Sequence, residues 1–131
     1  MEEFRISTRT LSNNPDITVM DLEGVCNHET ADGFEQAVNR LLAEGRVRII
    51  LNLEKLTYIS SRGLGNLMNA IKQARDMKGD ILMVRVTPGV ASIFDLLDIP
   101  QLFRFFKNEE NAVLAFSIGS SKSKDSGTPP K

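Results

Sequence analysis

The chain has 131 residues, 41% of them hydrophobic and 25% charged, the proportions of one globular domain with a single core rather than of a disordered or fibrous chain. Sixteen Lys and Arg against seventeen Asp and Glu leave a formal charge of -1, so there is no basic excess to neutralise a nucleic-acid backbone or to hold an anionic membrane. The longest apolar runs are too short to span a bilayer and MEEFRISTRT lacks the basic-then-apolar order of a secretory leader, so a cytoplasmic protein is expected.

FRISTR (4–9) and ITVMDL (17–22) are short apolar or alternating segments joined by LSNNPD, whose Asn, Pro and Asp favour a turn, and they predict a hairpin. From Glu29 to Ala43 the apolar positions Phe34, Val38, Leu41 and Leu42 fall at helical spacing, with Gly45 placed to end the helix. VRIILNL (47–53) is nearly continuous in apolar residues, as suits a central strand covered on both faces. After a short loop, Leu64, Leu67, Met68, Ile71 and Ala74 mark one face of a second helix, with Lys78 in its last turn and Gly79 beyond. DILMVRV (80–86) reads as a strand, and Thr87-Pro88 as the start of a third helix reaching about Leu97. LFRFFK (102–107) reads as a last strand and EENAVLAF (109–116) as a closing helix. Residues 118–131 are rich in Ser, Lys, Gly and Pro and cannot repay the entropy of ordering, so they read as a disordered polar tail behind a domain of residues 1–117. A hairpin followed by alternating helices and strands implies an α/β fold with a mixed sheet and parallel crossovers.

Catalytic constellations are missing from this pattern. Cys26 is a lone cysteine with no disulfide or zinc partner and reads as a small buried hydrophobe. His28, the only histidine, has no nucleophile or orienting partner near it in sequence. Gly63 and Gly65 form a GxG at a helix start, but Met68 stands where a dinucleotide loop carries its third glycine, and there is no P-loop. A response-regulator receiver would want an aspartate at the end of the central strand, where this chain has Asn52. No catalytic residue, metal site or cofactor is expected.

The stretch LTYISSRGLGNLMNA (56–70) carries the functional question. Ser60 or Ser61 is placed to cap the second helix, and the glycines bare the backbone of its first turn to a partner or a phosphate. The segment from LNLEKLTYISSRGLG through MKGD, LMVRV and PGVASIFDLLDI, together with LEGVCNHETADGFEQAV upstream, resembles the STAS domains and, among them, the bacterial anti-sigma factor antagonists. The resemblance spans residues 4 to about 116 and implies a STAS-like mixed sheet packed with about four helices.

Position by position, the resemblance implies that Ser61 is the phosphoacceptor, two residues before the first glycine of Gly-Leu-Gly. Ser60 and Asn27 stand where the family often has aspartates, and Arg62 where it usually has a small residue. Arg62 is positioned to pair with a phosphate on Ser61 or with an acidic partner, or is simply an exposed side chain at a helix start. The partner-binding set implied is Asn27, Ser60, Ser61, Arg62, Gly63, Gly65 and Asn66. The mechanism implied is partner switching. The unphosphorylated chain binds an anti-sigma factor that is also a serine/threonine kinase and so releases a sigma factor. Phosphorylation of Ser61 ends that binding and a PP2C-like phosphatase restores it. The alternatives are a STAS docking subunit of a sensor or transport assembly that is never phosphorylated, and a small nucleotide-binding α/β domain resting on the GxG.

Overall fold

The computed structural model describes residues 3–97 and 103–117. Two antiparallel strands, β1 (Phe4–Leu11) and β2 (Asn14–Cys26), form the expected hairpin, and α1 (Ala31–Ala43), β3 (Arg48–Ile59), α2 (Ser61–Asp76), β4 (Asp80–Val84), α3 (Pro88–Leu97), β5 (Phe105–Phe106) and α4 (Glu109–Ser117) follow in order. The five strands lie in the order β1-β2-β3-β4-β5, with every pair after the hairpin parallel.

Strand periodicity assigns the layers. Ile49, Leu51 and Leu53 of β3, with Met20, Leu22, Ile81 and Met83, face a core filled by Phe34 and Val38 of α1, Leu64, Leu67 and Ile71 of α2, and Val90 and Phe94 of α3. Ile50, Ile17, Val19, Leu82 and Val84 point the other way, onto Ala112 and Phe116 of α4. The unbroken apolar run of β3 is thus explained by cover on both faces.

The hairpin strands run further than the sequence reading, to Leu11 and over Asn14–Cys26, and α1 starts at Ala31 rather than Glu29; four further boundaries differ, each for a physical reason. The short loop expected before α2 is strand, because β3 continues through Glu54–Ile59 and only Ser60 separates it from the helix. Two register shifts against β2 put an extra β3 residue in each of two places, which hides the two-residue period over that stretch. At the end of α2 the left-handed position belongs to Lys78, at φ 71°, and the Lys78 and Gly79 N–H groups donate to the carbonyls of Arg75 and Ala74 at 3.0 and 2.7 Å. Gly79 is needed for close approach instead, since a Cβ there would run into the Val47 carbonyl. The strand expected over 80–86 ends at Val84, with Arg85 left-handed at φ 58°. The last strand is only Phe105–Phe106: Phe103 lies outside the ladder, edge-on to Phe94 of α3 with centroids 4.9 Å apart, and Phe105, paired with Met83, joins the same cluster at 5.1 Å. The expected tail, 118–131, lies outside the described residues.

The lower end of the sheet is pinned by a buried carboxylate. Asp80, 2% exposed, accepts from the Ile81 N–H at 2.8 Å, Arg75 Nε at 3.0 Å and Arg104 Nη1 at 3.2 Å. It joins the end of α2, the start of β4 and the entry to β5.

Candidate functional site

At the opposite end, the C-termini of β2 and β3 lie side by side with Cys26 opposite Ile59. Each strand runs almost directly into a helix, so the first turns of α1 and α2 emerge next to each other. Both helix starts bring unpaired N–H groups and the positive end of a dipole to one surface.

The α1 turn is closed by a reciprocal cap. Asn27 Oδ1 accepts from the Glu29 and Thr30 N–H groups, both at 2.9 Å, while Thr30 Oγ1 accepts from the Asn27 N–H at 2.8 Å. The Ala31 N–H donates to the Asn27 carbonyl at 3.0 Å, so helical bonding begins at Asn27. A neutral side chain at this place therefore has a structural task.

The α2 turn separates the two serines. Ser60 has extended backbone, φ -80° and ψ 168°, and its Oγ accepts from the Gly63 N–H at 3.1 Å. Its own N–H donates to the Cys26 carbonyl at 2.8 Å, locking the helix start to the end of β2. Ser61 is the first helical residue and is exposed, and its hydroxyl has no hydrogen-bond partner among the described residues. One serine is committed to the cap and the other is exposed without a side-chain partner among the described residues.

In the unmodified chain Arg62 is paired within the domain. Its Nη2 and Nε donate to Oδ1 of Asp32, in the first turn of α1, at 2.7 and 3.2 Å. Asn66 adds a second tie, donating from Nδ2 to the Ala31 carbonyl at 3.0 Å. Gly63 is buried, and a Cβ there would lie 2.9 Å from Ile59 Cγ1 and 3.0 Å from Cys26 Sγ. The missing side chain is what lets α2 seat on the strand ends, so packing accounts for the first glycine of the GxG. A Cβ on Gly65, by contrast, would meet nothing within 4 Å.

Cys26 lies beneath this arrangement. Burial pushes its thiol up to about 11, against a weaker lowering by the Thr30 hydroxyl, so it is neutral at physiological pH and acts as a small apolar group. His28, two residues further along the chain, is exposed.

Sequence reasoning missed Asp32 and Thr30. Asp32 looks like an ordinary acidic residue at a helix start, and only the adjacency of the two helix N-termini makes it the partner of Arg62. Asn52 is likewise held in place. Its Nδ2 donates to Glu109 Oε2 at 3.2 Å, and its Oδ1 accepts from the Glu54 N–H at 3.0 Å. Glu109 in turn accepts from Arg9 Nη2 at 2.7 Å, and Arg9 also donates to Asp21, which ties the hairpin to α4. Among the described residues no helix is long and apolar enough to cross a membrane.

Comparison with known proteins agrees with this architecture. The STAS domain family matches residues 9–112. The candidate anti-sigma factor antagonist BtrV of Bordetella bronchiseptica is 30% identical over 95 residues, covering 72% of this chain and 82% of that protein. An anti-sigma F factor antagonist of Paenibacillus polymyxa is 25% identical over 108 residues, covering 79% and 90%. The Bacillus cell-fate determinant SpoIIAA, solved in its phosphorylated form, has the same fold, with a TM-score of 0.64 at 17% identity over 86% of this chain and 99% of that one. The chain belongs to the STAS domain family and is related to the anti-sigma factor antagonists.

Proposed function

We propose that this protein is an anti-sigma factor antagonist whose partner binding is switched by phosphorylation of Ser61. The unmodified chain binds an anti-sigma factor that is also a serine/threonine kinase, and a sigma factor is released. Transfer of phosphate to Ser61 Oγ ends the binding, and a PP2C-like phosphatase reverses it. The surface around Ser61, with Arg62, Gly65 and the caps at Asn27 and Ser60, is the contact face.

The observation that carries this reading is the division of labour between the serines. Ser60 Oγ is occupied by the Gly63 N–H, while Ser61 is exposed on the first residue of α2. A phosphate there adds about -1.5 to -2 charges next to free N–H groups and a positive dipole end, which the fold tolerates. The same charge inside a desolvated interface costs several kcal/mol, and about 1.4 kcal/mol is a tenfold loss of affinity. A hundredfold switch then needs no change of fold. SpoIIAA, with the same fold, has been solved both phosphorylated and unphosphorylated.

The direct test is intact mass with phosphosite mapping after incubation with ATP and the anti-sigma kinase of the same cell, on the wild type, Ser60→Ala and Ser61→Ala. One added phosphate that disappears only in Ser61→Ala is the expected result. A stable complex with no phosphate overturns the switch and leaves a STAS docking module.

A further inference from the structure

The pairing of Arg62 with Asp32 is built to be exchanged. Both guanidinium donors fall on a single oxygen, Asp32 Oδ1, so the fork-to-fork geometry of a strong pair is not used. Both side chains are substantially open to water, 44% and 57% exposed, where an ion pair contributes little. Arg62 also immediately follows Ser61. A phosphate on Ser61 would carry nearly twice the charge of the carboxylate and three acceptor oxygens; consecutive helical side chains diverge by about 100°, so the exchange requires the long Arg62 side chain to swing back across the first turn.

We infer that Arg62 and Asp32 form a phosphate-exchanged latch: in the Ser61-phosphorylated protein the guanidinium leaves Asp32 for the phosphate, and the ionic tie between the first turns of α1 and α2 is released. The inference rests on Ser61 as the phosphoacceptor and specifies what modification does inside the domain. No covalent step beyond the phosphorylation itself is involved. Asn66 to Ala31 and Ser60 to Cys26 hold the two helix starts together after the exchange, so the fold persists. Asp32, freed of its cation, becomes a second unpaired negative charge on the contact face, displaced from the phosphate toward α1.

The experiment installs phosphoserine at position 61 during synthesis, so that the latch is tested whether or not any cellular kinase uses that site. The kinase assay above decides the phosphorylation reading separately. The readout is the second ionisation of the phosphate, followed by phosphorus NMR as pH is varied, in the wild type, Arg62→Ala, Asp32→Asn and the double variant. A cation in contact lowers this ionisation by about one unit or more. The latch predicts that Arg62→Ala raises it by about that amount, while Asp32→Asn leaves it low. Two results overturn the latch. One is no change in Arg62→Ala, which means that Arg62 stays with Asp32. The other is an effect of Arg62→Ala that emerges only in the Asp32→Asn background, which means that the carboxylate wins the competition. Thermal unfolding of the same proteins checks that the variants are folded.

Discussion

Ser60 and Ser61 are adjacent and chemically identical, yet they carry different consequences. Replacing Ser60 with Ala removes the acceptor for the Gly63 N–H and is expected to cost about 1 kcal/mol in denaturant unfolding. Replacing Ser61 is expected to cost less than about 0.5 kcal/mol, the range of surface changes that remove no bond, while leaving a protein that stays bound to its partner in the presence of ATP and kinase. A larger loss in Ser61→Ala than in Ser60→Ala would reverse the assignment of the cap. Cys26 gives a third residue-scale test. Its thiol is held near 11 in the folded protein against 9.0 as its ordinary value. Between those values the unfolded chain has lost a proton that the folded chain keeps. The stability contributed by the protonated thiol is therefore intact below about pH 9 and falls as pH rises toward 11, by an amount on the order of 2 kcal/mol. Cys26→Ala should lose stability less steeply over that window, and parallel curves for the two proteins would show that the thiol contributes nothing.

Among the elements, α2 is fixed at both ends by contacts that local sequence does not display. At its start, Gly63→Ala forces a methyl against Ile59 and Cys26, and overpacking of that kind costs about 1–3 kcal/mol. The same substitution at Gly65 meets open space and should be neutral or slightly stabilising, because alanine is the better helix former. The pair of melting curves separates packing from glycine flexibility. Beyond its end, Asp80→Ala leaves Arg104, its side chain 13% exposed, without its carboxylate, and a loss of about 3–5 kcal/mol is expected. A loss below about 1 kcal/mol would mean that water reaches the site. Periodicity displayed α1 and α2 because Phe34, Val38, Leu64, Leu67 and Ile71 each face one core. It missed the second half of β3, where register shifts break the alternation, and it overextended β5, whose phenylalanines pack sideways onto α3.

At the scale of the whole molecule, three helices on one face of a parallel run and one on the other place two helix starts at a single edge, and the candidate site is made by that adjacency. The resemblance had marked Ser61, Arg62, Asn27 and the glycines, and all lie in this region. Which of them turn inward was not legible, because Gly63 packs against residues 37 positions away in the chain at Cys26, and Arg62 finds Asp32 across two elements. The same organisation says why a switch can work without refolding. Neither core includes Ser61, so a phosphate placed there would act on whatever the surface meets. The measurement that tests this most directly is calorimetric titration of the anti-sigma partner with the unmodified protein and with the protein phosphorylated at Ser61, at one ionic strength. The account predicts an affinity at least about a hundredfold weaker for the phosphorylated form, about 2.7 kcal/mol. Equal affinities for the two forms would contradict it.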